Sequence, residues 1–394
     1  MKLFHFKDLK LNRWNFVSQH LFLLFLLLGA SSCQQKANSQ VKKETVPVKQ
    51  QSSPIPYSLV DSSTIILDYD MPIENVNPTD IPNNLLVPLF YEGQLCHWIR
   101  EIYQDKRGDL WFGTNHYGVI RYQDNTLTYI SEKEGLGGNR LNAITEDQNG
   151  NTWFGVSGGL TAFNGKTFKT YTSTDGLLNN EVWSLCLDSK GILWIGTIDG
   201  LCTFDGKSFS KVELPLAPID NPNPILSDKR INSIYEDNQG VIWVGTDGYG
   251  ICKIENDSIT YLNTTHGLPD NNITGFLEDH GGNMWIGTMH GGISRYNGKE
   301  FKNFTADGLI QGVEISGLYQ DKNNAIWFSA EHQGVYKYNG KEFTNYYKDN
   351  GLFSGGIISI YQDEQNRFWF GGWKGLFRFQ NQKFEAVTKK GPWR

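Results

Sequence analysis

Across 394 residues the sequence has no basic run longer than a pair such as Lys42-Lys43, and its 36 Lys and Arg are outnumbered by 42 Asp and Glu. Nothing supplies the positive stripe that a phosphate backbone requires, so nucleic acid is not an expected partner. Cysteine is scarce, five in all. Long apolar runs are lacking too, since residues 21–28 (Leu-Phe-Leu-Leu-Phe-Leu-Leu-Leu) are too few to span a bilayer. What the chain has in quantity is 42 Gly, 18 Tyr, 23 Phe and 12 Trp, the material of tight turns and pleated sheets. An all-β fold with little helix is expected.

Lys2, Lys7, Lys10 and Arg13 precede the apolar stretch, and Gly29-Ala30-Ser31-Ser32 separates it from Cys33. That is the order of an export signal. Ala30-Ser31-Ser32-Cys33 resembles a bacterial lipobox, which implies acylation of Cys33, anchoring in the bacterial cell envelope, periplasmic or cell-surface, and membrane contact through lipid alone. Residues 34–58 are polar, rich in Gln, Lys, Ser and Pro, and read as a flexible tether after the signal of residues 1–33. Cys96, Cys186, Cys202 and Cys252 remain; their places in the repeat below do not pair them, so they are expected to be small buried residues.

A Trp recurs at 111, 153, 194, 243, 285, 327 and 369, and six residues before each stands an Asp, at 105, 147, 188, 237, 279, 321 and 363. Three residues after each Asp comes Gly108, Gly150, Gly191, Gly240, Gly282, Asn324 or Asn366, types that tolerate the left-handed backbone of a tight hairpin. Each Asp is read as a turn former accepting backbone N–H groups, and the spacing does not fit a calcium loop. In the second copy four short strands, a to d, are expected at 141–147, 152–156, 159–163 and 167–171. Between c and d, Asn164-Gly165-Lys166, with Asp205-Gly206-Lys207, Asn297-Gly298-Lys299 and Asn339-Gly340-Lys341, signals a type I′ turn. Seven such units predict a seven-bladed β-propeller of four-stranded antiparallel blades over residues 97–394. The N-terminal segment 59–96 carries a possible closing strand at 85–90, which competes with 384–388 for the outer place in blade 7. The third copy has an insertion, residues 214–224, in its d–a connection.

The unit I-x-x-I-x-E-D-x-x-G-x-x-W-x-G-T-x-x-G-G-(L/I) resembles the two-component regulator propeller repeat over residues 97 to about 388. The resemblance implies a periplasmic sensor propeller that recognises glycans or other small ligands. Such propellers usually belong to hybrid histidine kinases; no kinase or DNA-binding domain follows Arg394 here, so any signal is expected to pass through an envelope protein partner. Two other readings stand beside it. One is a protein–protein interaction scaffold. The other is a metal-dependent lyase similar to the streptogramin lyases, for which His290, Glu331, His332 and His116 are the candidates, although no metal-ligand spacing picks them out.

Chain reversal puts the a–b and c–d turns on one face of the disc and the b–c and d–a turns on the other. The first set is stereotyped, and the second varies from copy to copy, as a ligand face should. Just before strand a stand His97, Trp98, Arg140, Glu181 and Arg230; in the b–c loops stand His116, Tyr117, Tyr249, His290, Glu331, His332, Trp373 and Lys374. Aromatic faces with Arg, Glu and His around a central funnel suit a small polar ligand such as a glycan. No catalytic residue, metal or cofactor is expected.

Overall fold

The computed structural model describes residues 93–393 apart from Leu216 and Asp257. The expected acylation site Cys33, the tether and the strand expected at 85–90 lie outside the described residues. Twenty-eight strands among the described residues form seven four-stranded antiparallel sheets, each from four strands consecutive in sequence. In blade 1, strands a to d are Ile99–Gln104, Leu110–Thr114, Val119–Gln123 and Thr126–Ile130. Blades 2 to 7 span 141–171, 182–212, 231–262, 273–303, 315–346 and 357–387. No helix among the described residues is long and apolar enough to cross a membrane.

The recurring Asp does more than turn the chain. In all seven blades its Oδ2 accepts the indole N–H of the Trp six residues on, at 2.7–3.0 Å. In blade 6, Asp321 Oδ1 also takes the backbone N–H groups of Asn323 and Ala325 at 2.9 Å each. The residue three after each Asp is left-handed, from φ 89° at Gly108 to φ 63° at Asn366, as the hairpin requires. The type I′ expectation for the Asn-Gly-Lys turns needs correction. Only the glycine has positive φ there (Gly165, 92°), and Asn164 Oδ1 accepts the N–H groups of Lys166 and Thr167 at 2.9 Å, so the side chain braces the turn instead. Two consecutive left-handed residues, as type I′ demands, occur at Asp124-Asn125 and Asn381-Gln382.

Seven hydrophobic clusters occupy the seven seams between neighbouring blades, including the seam between blades 7 and 1, where Trp369, Leu376 and Val387 meet Ile99, Phe112 and Ile120. Close approach at these seams explains the glycine two residues after the Trp. A Cβ on Gly113 would sit 1.9 Å from Leu141 Cδ2, and one on Gly371 would sit 2.4 Å from Ile99 Cγ2. Blade 6 has Ser329 at this place, whose hydroxyl donates to the Ile357 carbonyl across the seam.

Ring closure repeats the internal seams. The side chain ending strand a reaches back to the backbone N–H that follows the Asp of the preceding blade: Lys106 N–H to Glu146 (2.8 Å), Asn238 N–H to Glu278 (2.7 Å), Lys322 N–H to Gln362 (3.1 Å), and at the closing seam Glu364 N–H to Gln104 (2.8 Å). The outer strand of blade 7 is Lys383–Val387, paired with Gly375–Gln380, so residues 384–388 neither lie loose nor pack outside the sheet. Phe384 and Val387 are both buried, which gives this segment the apolar anchors a sheet position needs. Beyond it Trp393 stacks on Tyr122 at 4.3 Å and tilts against Trp369 at 5.9 Å. Cys186, Cys202 and Cys252 are free thiols, and Cys96, Cys202 and Cys252 are buried, as their apolar reading expects.

Candidate functional site

The first strands of neighbouring blades touch one another all round the ring, so strand a is innermost and lines the central channel. In six blades its pairing with strand b slips by one residue near the start. In blade 1, Ile99 faces Thr114 and Glu101 faces Gly113, leaving Arg100 as the extra residue; in blade 3 it is Trp183. Such a bulge re-aims the side chain it frees. In blades 2, 4 and 5 that side chain ties the seam, with Asn142, Asn232 and Thr274 donating to the carbonyls of Val182, Ile273 and Ile315. Arg100 and Trp183 stand where those tying residues would be.

Around them the channel gathers cations and indoles. Arg140 ion-pairs with Glu181, and Arg230, 5% exposed, pairs with Asp247 at 3.1 Å. The guanidiniums of both lie over the Trp183 ring, at 5.3 and 4.7 Å from its centroid. Arg100 lies over Trp98 at 5.7 Å and donates to Asn115 Oδ1 at 3.1 Å. Several donors here are buried without a hydrogen-bond partner: Nε of Arg100, Arg140 and Arg230, and Nε1 of Trp98 and Trp183. Orphaned buried donors are costly in a folded chain, and their concentration at one mouth is the signature of a site built for something else.

The remaining wall is aromatic and acidic. Trp98 and Trp373 meet edge to face at 6.0 Å, and His332 sits edge-on to Trp373 at 5.7 Å. Burial first, then a hydrogen bond and repulsion from Glu331, push the Glu314 carboxyl up to about 9, so Glu314 keeps its proton at neutral pH. Burial also pushes Glu101 up to about 7 against the opposing hydrogen bonds of Ile102 N–H and Ser359. Burial with the charge of Lys374 lowers His97, and desolvation with Arg140, Arg100 and His97 lowers His116, so both imidazoles are held neutral.

Not every residue expected at the site converges there. Tyr117 packs against the core of the closing seam, a structural place. Tyr249 lines a side cavity between blades 3 and 4 with Asp199, Asp228 and Lys229, beneath the insertion. His290 is exposed and its backbone N–H donates to Asp270 at 2.8 Å. Lys374 is exposed, its carbonyl accepting from Gln94 at 2.6 Å. Glu331 lies 3.7 Å from His332, but no three His, Cys, Asp or Glu among the described residues converge to hold a metal, so the candidates of the lyase reading do not form a metal centre. Arg100, Glu101 and Trp183 were missed because strand a reads as scaffold. The available signal was their contrast with Asn142, Asn232 and Thr274 at the bulge position and Ala143, Ser184 and Ser233 beside it.

Comparison with known proteins places this geometry. The family model described as two component regulator propeller matches five segments, 93–116, 176–199, 225–248, 267–290 and 351–374, each joining a d–a connection or the entry to blade 1 to strands a and b. The curated proteins give no match. Among solved structures, the chain is similar to the extracellular domain of the hybrid two component system BT3049 from B. thetaiotaomicron, at 23% identity and TM-score 0.61, over 71% of this chain and 39% of that one. It is similar to the extracellular domain of the one component system BT4673 from the same organism, at 20% identity and TM-score 0.57, over 75% and 41%. Virginiamycin B lyase from Staphylococcus aureus shares the fold at 16% identity and TM-score 0.55, over 71% of this chain and 93% of that one. This chain therefore spans about two fifths of the length of the two extracellular domains. Five of the seven blades, all of one construction, thus carry segments that match the two component regulator propeller repeat.

Proposed function

We propose that this chain is an exported recognition module that binds a small polar ligand, such as a glycan, at the central channel mouth. The observation that carries this reading is the set of buried, partnerless donors on Trp98, Trp183, Arg100, Arg140 and Arg230 beside the Trp98–Trp373 indole pair. Saccharides meet both demands, since C–H faces stack on indoles and ring oxygens accept from N–H donors. Export follows from the signal-like N-terminus, and anchoring from acylation of Cys33. The extracellular placement of the two similar domains from B. thetaiotaomicron supports export, and the family they represent supports ligand sensing with the signal passed to an envelope partner. The test is a thermal-shift screen of the full chain in mild detergent against oligosaccharides, divalent metals and small aromatic metabolites. A sugar that raises the melting temperature, and loses that effect in Trp183→Phe, supports recognition. A response to metals alone would turn attention back to lyase chemistry, and silence across the panel would favour a protein partner.

A further inference from the structure

Arg100 belongs to blade 1 and Arg230 to the entry of blade 4, on opposite sides of a ring of seven. Their charges nevertheless act on each other, and Arg140 acts on Arg100 as well. Arg140 and Arg230 converge over the one Trp183 ring and Arg100 lies over Trp98, so the three guanidiniums mark out a triangle at the channel mouth. Trp183 lies beneath two of its corners and Trp98 beneath the third.

The triangle is short of negative charge. Arg140 has Glu181 and Arg230 has Asp247, but the hydrogen-bond partner of Arg100 is the neutral Asn115 side chain. Beside Arg100, Glu101 is itself driven up to about 7 by burial and is only partly ionised at neutral pH. Burial and then Arg140, partly offset by Glu101 and reinforced by Arg230, draw Arg100 down to about 10. A buried cation next to two others is an unfavourable arrangement unless an anion joins them. The partnerless atoms add a second constraint. Guanidinium and indole N–H groups donate and never accept, so the three Nε and two Nε1 atoms call for an acceptor-only group. A hydroxyl, which brings a donor of its own, serves them less well than an oxyanion does. Arg230 is the most deeply set of the five, 5% exposed with its Nε unmatched.

Resting on the reading of the channel as a ligand site, we propose that its ligand is an acidic saccharide, whose carboxylate or sulfate binds among Arg100, Arg140 and Arg230 while its ring lies against the indoles. The choice of a sugar over a bare anion comes from Glu314 and Glu331, which offer acceptors to ring hydroxyls, and from Trp373, which adds an apolar face beside Trp98. The oxyanion fixes one end of the molecule and the carboxyl pair the other.

The test is calorimetric titration and thermal shift with the full chain in mild detergent, using trigalacturonate, its methyl ester, a sulfated disaccharide, and sodium sulfate with a sodium chloride control of equal ionic strength. Trigalacturonate or the sulfated sugar is expected to raise the melting temperature and the methyl ester is not; the responding sugar tells carboxylate from sulfate. Arg100→Gln is expected to weaken that binding by about 30-fold or more, as loss of one partner of a buried charge pair does. It is also expected to raise the melting temperature of the ligand-free chain, because a like charge is removed; a merely structural Arg100 would lower it. Equal binding of the methyl ester would overturn the acidic group while leaving recognition of a glycan standing. Sulfate alone acting as strongly as any sugar would overturn the saccharide. No response to any probe, together with a less stable Arg100→Gln, would overturn the anion site altogether.

Discussion

Asp247 and Arg230 meet at 3.1 Å, and the same carboxylate accepts the backbone N–H groups of Ile225, Leu226 and Ser227 at 2.9, 2.7 and 3.1 Å. One fully buried side chain thus ties the residues that follow the 214–224 insertion to a corner of the arginine triangle. Replacing Asp247 by Ala strands a buried cation and three donors at once. The expected loss is about 3–5 kcal/mol in urea unfolding, with new proteolytic cleavage within 214–224. A change below about 0.5 kcal/mol, the scatter of ordinary surface substitutions, would show that the pair holds nothing in place.

The indole–carboxylate bond repeated in every blade makes a second prediction. Asp321→Ala leaves two backbone donors and the buried Trp327 Nε1 unmatched and is expected to cost about 3 kcal/mol or more, whereas Trp327→Phe loses one donor with part of the packing. The double mutant should show a coupling of about 1.5–3 kcal/mol by equilibrium unfolding. Additive effects would mean that the Asp acts through the turn alone.

Trp98 and Trp373 have two duties that substitution must separate. Their rings touch and their backbones bridge blades 1 and 7, so truncation affects closure as well as the mouth. Trp98→Ala is expected to cost about 1–3 kcal/mol in addition to any loss of ligand response, because an edge-to-face pair and a large buried face go together. Trp183→Phe keeps an aromatic face and removes the orphan N–H, and is expected to leave the melting temperature within about 2 °C. A larger drop would assign Trp183 to the fold.

The ring architecture is legible in the sequence because each repeat carries its own turn chemistry: the left-handed residue three after each Asp is named by Gly or Asn in all seven copies. The partner of each Asp is less legible. Six residues separate Asp105 from Trp111, and only the hairpin folds that distance to 3.0 Å. The mouth is harder still. Strand periodicity sends alternate residues to opposite faces, but the bulge breaks the alternation where Arg100 and Trp183 stand, so neither is told from scaffold by pattern. His290 and Tyr249 show the converse, since membership in a variable loop class says which face a residue is on and nothing about its reach toward the axis.

The raised carboxyls give the stability a definite pH dependence. A carboxyl whose folded value exceeds its unfolded value binds its proton more tightly in the native state, so stability falls as pH rises between the two values. For Glu101 this window runs from about 4.5 to about 7, and for Glu314 it continues to about 9. Denaturant midpoints should therefore decline from pH 5 to pH 9, in two parts. Glu101→Gln should flatten the lower part and Glu314→Gln the upper, and each variant should exceed the parent above its own window, where the parent must hold a buried negative charge. A pH profile identical to the parent's would mean that solvent reaches both carboxyls and that the channel wall is wetter than its packing implies.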